Sequence, residues 1–293
     1  MRHRLLWRVL ACVLLVAAGC DLNLLTPSGP PPLRYRDDVF ANVTKTENIV
    51  YGSAVGQNGA TVTLVLDRYE PAGDTATRRP AIVWVHGGGF SPGLDRNSPE
   101  IQDEARAFAR KGYVGVSIDY RLGGGCLPPT TRCATSIVHA KWDAQAAVRY
   151  LRANATQLRI DPNRIAIAGT SAGAITALNV AFGPEDVGTS GNPGFPSTVR
   201  AAVSLSGAAI TTGPNAGEAP ALLFHGSTDN VVPYQWAVDT VNNAEAAGVL
   251  VNFTTWPGEG HVPYTQHRQQ IIDQTRNFLY WNLDVANAQQ NLP

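Results

Sequence analysis

Arg164-Ile-Ala-Ile-Ala-Gly-Thr-Ser-Ala-Gly-Ala-Ile-Thr-Ala-Leu178 decides how the rest of the chain is read. It opens as a short apolar run rich in Ile and Ala, the pattern of a buried strand. It passes through Gly169-Thr170-Ser171-Ala172-Gly173 and goes on as small and apolar residues suited to a helix. A serine with glycine at both second neighbours, between a strand and a helix, has the form of a nucleophile elbow. The turn is so tight that Cβ atoms at 169 and 173 would collide with the neighbouring strand and helix, and glycine removes them. It lifts Ser171 Oγ above the sheet, and the following helix aims its N-terminal N–H groups at developing negative charge. A serine among glycines is more often a plain turn; the strand before it and the helix after it favour the elbow.

Around this stretch the composition is that of an ordinary globular protein. Of 293 residues 44% are hydrophobic and 16% charged, which suits one large core, read as a single catalytic domain over 48–293. The 23 basic residues balance 23 acidic ones, so there is no basic excess of the kind a nucleic-acid partner requires. There is no internal repeat, no zinc-type Cys/His spacing and no phosphate-cradling G-x-x-x-x-G-K, and no metal or organic cofactor is expected.

Met1 to Arg8 is basic and Val9 to Ala18 is apolar, too short a run to span a membrane; 1–19 reads as an export signal. Val16-Ala-Ala-Gly-Cys20 resembles the lipobox of bacterial lipoproteins, although Ala17 stands where Leu is usual. The resemblance implies cleavage before Cys20, lipid on its thiol, and anchoring in the bacterial cell envelope on the periplasmic or cell-surface side. The plainer readings are an ordinary cleaved signal releasing a secreted protein, or an uncleaved anchor. Residues 20–47 then read as the lipid-bearing cysteine and a tether built on Thr26-Pro-Ser-Gly-Pro-Pro-Pro32, which should not pack. Cys126 and Cys133, close in sequence and exported on this reading, are expected to form a disulfide.

Along the chain, Asn48 to Gly56 and Thr61 to Tyr69 alternate around Gln57-Asn58-Gly59, a hairpin signal. Ala81 to Val85 is an apolar strand that runs straight into His86-Gly-Gly-Gly-Phe90, where glycines free backbone N–H groups to face a ligand. Glu100 to Arg110 reads as a helix and Tyr113 to Asp119 as a strand. Gly123 to Cys133 reads as an irregular loop, and a helix through Ile137 and Leu151 follows with Ser136 as its cap. Asp161-Pro162 reads as a turn before the nucleophile strand, and the Gly/Pro-rich stretch from Gly183 to Ser197 as an excursion over the site. Two more strands (Val199 to Ser206, Ala219 to His225), a helix (Tyr234 to Ala247), a strand (Leu250 to Trp256) and a last helix (Tyr264 to Trp281) follow. An opening hairpin and then alternation predict an α/β fold with a mostly parallel sheet of about eight strands, helices on both faces. The motifs fall at strand carboxyl ends, where such sheets bind ligands.

A serine hydroxyl needs a base, and the base needs an acid to fix its tautomer. His225-Gly-Ser-Thr-Asp229 places an acid just past one strand, and Gly258-Glu-Gly-His261 a histidine just past the next. The order Ser171, Asp229, His261 is the one expected of an α/β-hydrolase. Of the rivals, His86 is better placed to support the glycines and His225 to serve structure. His139 and His267 sit within helices, Asp119 lies upstream of the serine, and Glu259 is two residues from His261.

Taken together, His86-Gly-Gly-Gly-Phe90, Asp119-Tyr-Arg-Leu122, Gly169-Thr-Ser-Ala-Gly173, His225-Gly-Ser-Thr-Asp229 and Gly258-Glu-Gly-His261 resemble the α/β-hydrolase superfamily, from about Val62 to Leu283. The likeness is to exported carboxylesterases and acetyl esterases with an HGGG loop. It implies Ser171 as nucleophile, Asp229 as acid and His261 as base, with Ala172, Gly88 and Gly89 as oxyanion donors. Thr170 departs from the G-D-S-A-G and G-E-S-A-G of the hormone-sensitive-lipase-like and large carboxylesterase branches. The expected substrate is a small-molecule or polymer-linked ester. The alternatives are a prolyl-oligopeptidase-like peptidase of the same fold, which the H-G-x-x-D-x-x-V pattern also allows, and an inactive lipid-anchored binding protein. Oligomeric state is not legible.

Overall fold

The computed structural model describes residues 24–126 and 130–289. The signal at 1–19 and the expected lipid site Cys20 lie outside them.

Strand β1 (Val43–Val55) pairs antiparallel with β2 (Thr61–Pro71), closing on Val55–Thr61 around the anticipated turn. β1 starts earlier than its alternation suggests because Asn48, at φ +59°, sits in a register break between Thr46 and Ile49. Such a bulge flips the side-chain period and hides the first half of the strand from pattern reading. Next come β3 (Arg79–Val85), α1 (Pro99–Arg110), β4 (Val114–Ile118), α2 (Thr131–Ala153), the one-turn α3 (Ala155–Leu158) and β5 (Ile160–Thr170). The chain continues through α4 (Ala172–Ala181), β6 (Ala201–Leu205), β7 (Ala221–Gly226), α5 (Tyr234–Ala246), β8 (Val251–Trp256), α6 (Tyr264–Asn282) and α7 (Val285–Gln289).

The eight strands form one sheet in the order β1-β2-β4-β3-β5-β6-β7-β8, antiparallel as far as the β2–β4 pair and parallel from β4 to β8. Because β3, β4, β6 and β7 are buried at every residue, helices must cover both faces. Ile82, Trp84, Leu222 and Phe224 point to the side of Phe108 on α1 and Phe278 on α6. Their neighbours Val83, Val85 and Leu223 join Ala144 of α2, Leu178 of α4 and Ala237 of α5 on the other side. The period of two along each strand thus feeds two cores at once.

Four expectations change. The stretch around Thr26–Pro32 does not stand off as a tether. Arg36 gathers the carbonyls of Pro27 and Gly29 at 2.9 Å each, Tyr35 is fully buried, and Asn277 and Trp281 of α6 donate to Leu24 and Leu25. Proline composition hid the aromatic and arginine anchors that follow it. Helix α2 begins at Thr131, capped by Thr130 Oγ1 accepting from Cys133 N–H, so Ser136 lies inside the helix and donates to Arg132 O. Asp161-Pro162 falls within β5, where pairing jumps from Arg79–Ile160 to Ala81–Ile165. Finally, the excursion from Gly183 to Ser197 is drawn onto α2 by Arg149, which donates to the carbonyls of Asp186, Val187 and Gly191.

Candidate active site

β5 and β3 are parallel neighbours with Val85 opposite Gly169, so the glycine loop after β3 and the serine turn after β5 leave the sheet side by side. At the turn Ser171 adopts φ +55° and ψ −116°, a conformation that costs a non-glycine residue roughly 1–3 kcal/mol. Crowding is what forces glycine at its second neighbours. A Cβ on Gly169 would lie 2.4 Å from the carbonyl carbon of Gly173, and one on Gly173 2.0 Å from Val85 O. Ser171 N–H donates to Leu205 O at 2.9 Å, and α4 starts at the next residue.

β7 and β8 are also parallel neighbours, with Gly226 opposite Trp256, and their outgoing loops supply the other two groups. His261 Nε2 is 2.8 Å from Ser171 Oγ, and His261 Nδ1 is 2.7 Å from Asp229 Oδ2. With Nδ1–H given to the carboxylate, Nε2 is left as the acceptor for the serine proton. Asp229 is buried, which by itself would raise its carboxyl. Hydrogen bonds from His225 and His261 and the N–H groups of Val231 and Val232 overcome that and hold it well below the usual carboxylate range.

The loop 86–90 is held from beneath. His86 is buried and stacks on Tyr120 at 4.4 Å, and the Tyr120 hydroxyl donates to the carbonyls of His86 (3.0 Å) and Gly87 (3.2 Å). Burial pushes the His86 pKa down, which favours the neutral ring against its own loop. Gly88, at φ +103°, and Gly89 line a cavity of about 450 Å³ together with Ser171 and His261. Ala172 is the first residue of α4, where backbone N–H groups have no acceptor within the helix. Leu94, Val231, Val262, Glu100 and Cys126 complete most of the wall. No residue of the excursion from Gly183 to Ser197 lines it. A larger cavity of about 570 Å³ lies at the far edge, by Arg200 and Pro220 ahead of β6 and β7. It holds none of the three converging residues.

Cys126 and Cys133 are bonded, with Cα atoms 4.8 Å apart, so the bridge ties the cavity wall to the first turn of α2. The rival residues are occupied elsewhere. Asp119 pairs with Arg96, Glu259 accepts from His267 at 3.2 Å, and His139 packs near Trp142 within α2. Asp119 to Leu122 is a scaffold: Arg121 forms a buried pair with Asp143 of α2 at 2.8 Å and reaches Ser190 at 3.0 Å. Sequence reasoning underrated His225. Its Nε2–H donates to Val232 O at 2.9 Å and lies 3.1 Å from Asp229 Oδ2; the H-G-x-x-D spacing was the available signal.

Both halves of the chain match known families. Residues 66–208 match the family described as BD-FAE, and residues 200–289 match the prolyl oligopeptidase family. In structure, the butyrate-bound esterase 2 of the planctomycete Thermogutta terrifontis superposes with a TM-score of 0.67 at 25% identity, covering 84% of this chain and 96% of that one. The chain has the α/β-hydrolase fold. Its kinship in sequence is with esterases as well. It is 39% identical over 110 residues to carboxylesterase NlhH of Mycobacterium tuberculosis, covering 37% of this chain and 31% of that protein. It is 36% identical over 124 residues to phenmedipham hydrolase of Pseudarthrobacter oxydans, covering 41% of this chain and 23% of that protein. The chain spans less than a third of the length of these curated relatives.

Proposed function

We propose that this α/β-hydrolase cleaves carboxylic esters through an acyl-enzyme on Ser171. The observation that carries the reading is the unbroken hydrogen-bonded line from Ser171 Oγ through the His261 ring to Asp229 at 2.8 and 2.7 Å, open to one cavity. His261 Nε2 takes the serine proton as Oγ attacks the ester carbonyl, and Asp229 stabilises the imidazolium. Ala172 N–H and the N–H groups of Gly88 and Gly89 receive the oxyanion, held in place at no cost during reaction. His261 then passes its proton to the leaving alcohol, and the carbonyl–alcohol bond breaks to leave the acyl group on Ser171. Water repeats the sequence and releases the acid.

A cavity of about 450 Å³ suits small esters, and two of the Thermogutta structures are of butyrate- and propionate-bound esterase. The match of 200–289 to the prolyl oligopeptidase family is the one observation that favours a peptidase instead. A p-nitrophenyl ester series from acetate to decanoate, beside a prolyl p-nitroanilide, separates the two. Ester turnover that peaks at short acyl length and vanishes in Ser171→Ala supports the esterase reading. Cleavage of the anilide alone would move the chain to the peptidase class.

Export with lipid on Cys20 belongs to the same proposal. The Cys126–Cys133 disulfide favours it, since such bonds persist in oxidising compartments. Incorporation of labelled palmitate that is lost in Cys20→Ser is the test.

A further inference from the structure

The catalytic cavity contains one charged group that the ester chemistry leaves unused. Apart from His261, Glu100 is the sole ionisable side chain among the described residues of its wall; the others are small, apolar or hydroxyl-bearing. Glu100 lies in the first turn of α1, where a negative charge complements the helix dipole. That accounts for an acid at the helix start. It does not account for one placed in the wall of a cavity that is otherwise uncharged.

The neighbouring acids of α1 are already spent or silent. Asp103 is bound by Arg268 and by the Tyr264 hydroxyl (2.6 Å). Glu104 is buried, and its carboxyl is pushed well up by burial and by Glu100 and Asp103, which favours the neutral form. Glu100 has neither an ion pair nor a hydrogen bond among the described residues, and Arg268, whose charge reaches Glu104 on the same helix, is committed to Asp103. Among the described residues, the wall that holds Ser171 therefore also presents a carboxylate without a counter-charge.

Resting on the esterase reading, we propose that Glu100 sets specificity in this pocket and that the preferred esters carry a positive charge. A neutral hydroxyl would only exchange a hydrogen bond with water for one with Glu100, for a small net gain. A cation gains the Coulomb attraction as well, moderated by solvent because Leu94 and Val231 are exposed. A quaternary ammonium suits this mixture best, because its methyl groups pack against Leu94, Val231 and Val262 while its charge faces Glu100.

The test compares shape-matched esters. On the alcohol side the pair is acetylcholine and 3,3-dimethylbutyl acetate; on the acyl side it is ethyl betaine and ethyl 3,3-dimethylbutanoate. The ratio of kcat/KM for the cation over its neutral partner, wild type against Glu100→Gln, cancels intrinsic reactivity. We expect that ratio to fall about tenfold in Glu100→Gln for at least one pair, the scale of one partly solvated charge contact, and to invert in Glu100→Lys. Equal ratios in wild type and Glu100→Gln for both pairs overturn the proposal. So does an acetylated methyl glucoside that loses as much as the cations, since a polyol site would then be the better account. Calorimetry of choline binding to Ser171→Ala, with and without Glu100→Gln, separates this from the esterase reading. Choline binding that depends on Glu100, together with a wild type that hydrolyses none of these esters, would sink the esterase reading and leave the cation site standing.

Discussion

His225 Nε2 lies 3.1 Å from Asp229 Oδ2, the same oxygen that His261 Nδ1 reaches at 2.7 Å, so one carboxylate oxygen serves two imidazoles. The His225 ring is fully buried, and its N–H is shared between Val232 O and the carboxylate. His225 Nδ1 is buried with no partner among the described residues. Asp229 Oδ1 is meanwhile filled by the N–H groups of Val231 and Val232. The loop after β7 thus grips the Asp229 carboxylate from both ends, and in the proposed ester chemistry His225 would act as a positioning residue for it.

A hydrogen bond to a charged group is worth about 1.5–3 kcal/mol, so His225→Ala should lower kcat/KM about 10- to 100-fold. Asp229→Asn should cost about 10⁴ in kcat, because an amide permits the wrong tautomer of His261. Partial rescue by His225→Gln, whose side-chain N–H can still reach Asp229, would separate positioning from simple loss of packing. Full turnover in His225→Ala, with the melting temperature reduced, would leave the residue with a purely structural part.

What could be read ahead of the structure followed from local crowding. Gly169 and Gly173 are dictated by contacts of 2.4 and 2.0 Å that any such elbow must avoid, so their spacing announces the turn. Strand composition is equally local, and it gave the sheet and both helical layers. Contacts set by the meeting of distant loops left no such trace. Thr130 and Ser136 are both good caps, and only the disulfide at Cys133 and the start of α2 decide between them. Glu100 looks like any acid at a helix start until α1 is seen to border the cavity. The Pro-rich segment misled because its anchors, Tyr35 and Arg34, lie just beyond it; Arg34 meets Asp74 at 2.6 Å.

Gly88→Val should reduce kcat by roughly 10²–10³, the loss typical of one oxyanion donor. Gly88 sits at φ +103°, where a side chain is strained, and a Cβ there would come within 3.2 Å of Leu94 Cβ. The backbone must therefore rotate and carry its N–H away from the reacting carbonyl. KM should change little, because the oxyanion forms only after binding. An unaltered kcat in a variant of wild-type stability would leave the loop without a catalytic part.

Glu104→Gln should stabilise the protein at pH 8 and leave it nearly unchanged near pH 4. Burial raises the Glu104 carboxyl above its unfolded value, with Glu100 and Asp103 adding to the rise and Arg268 opposing it. A raised carboxyl makes the folded state hold a proton that the unfolded state releases. The stability linked to it is complete below about pH 4 and is lost as pH climbs towards the folded value. Asp67, Asp74 and Asp161 are depressed and act in the opposite sense, losing their contribution in acid, but they are common to both proteins and cancel in the comparison. Melting curves of both proteins from pH 4 to 8 give the answer. A gap that does not widen with pH would mean that Glu104 finds a counter-charge.

The Cys126–Cys133 bridge should act on substrate choice as well as on stability. Cys126 lines the catalytic cavity, whereas Cys133 is buried in the first turn of α2, so the bond couples a cavity wall to the helical layer. Opening a loop of this length should cost about 2–3 kcal/mol on the chain-entropy model. That is enough to lower the melting temperature by several degrees. Thr130 would still cap α2, so the helix itself should persist and the loss should fall on the wall around Gly125 and Cys126. In Cys126→Ser/Cys133→Ser we therefore expect the rates for long acyl chains to gain on those for short ones, as the mouth loosens, while the acetate rate changes little. Wild type treated with a reductant should follow the double variant in both melting and chain-length profile. A double variant that melts lower yet keeps the wild-type profile would confine the bridge to stability, and one unchanged in both would give it no part in either.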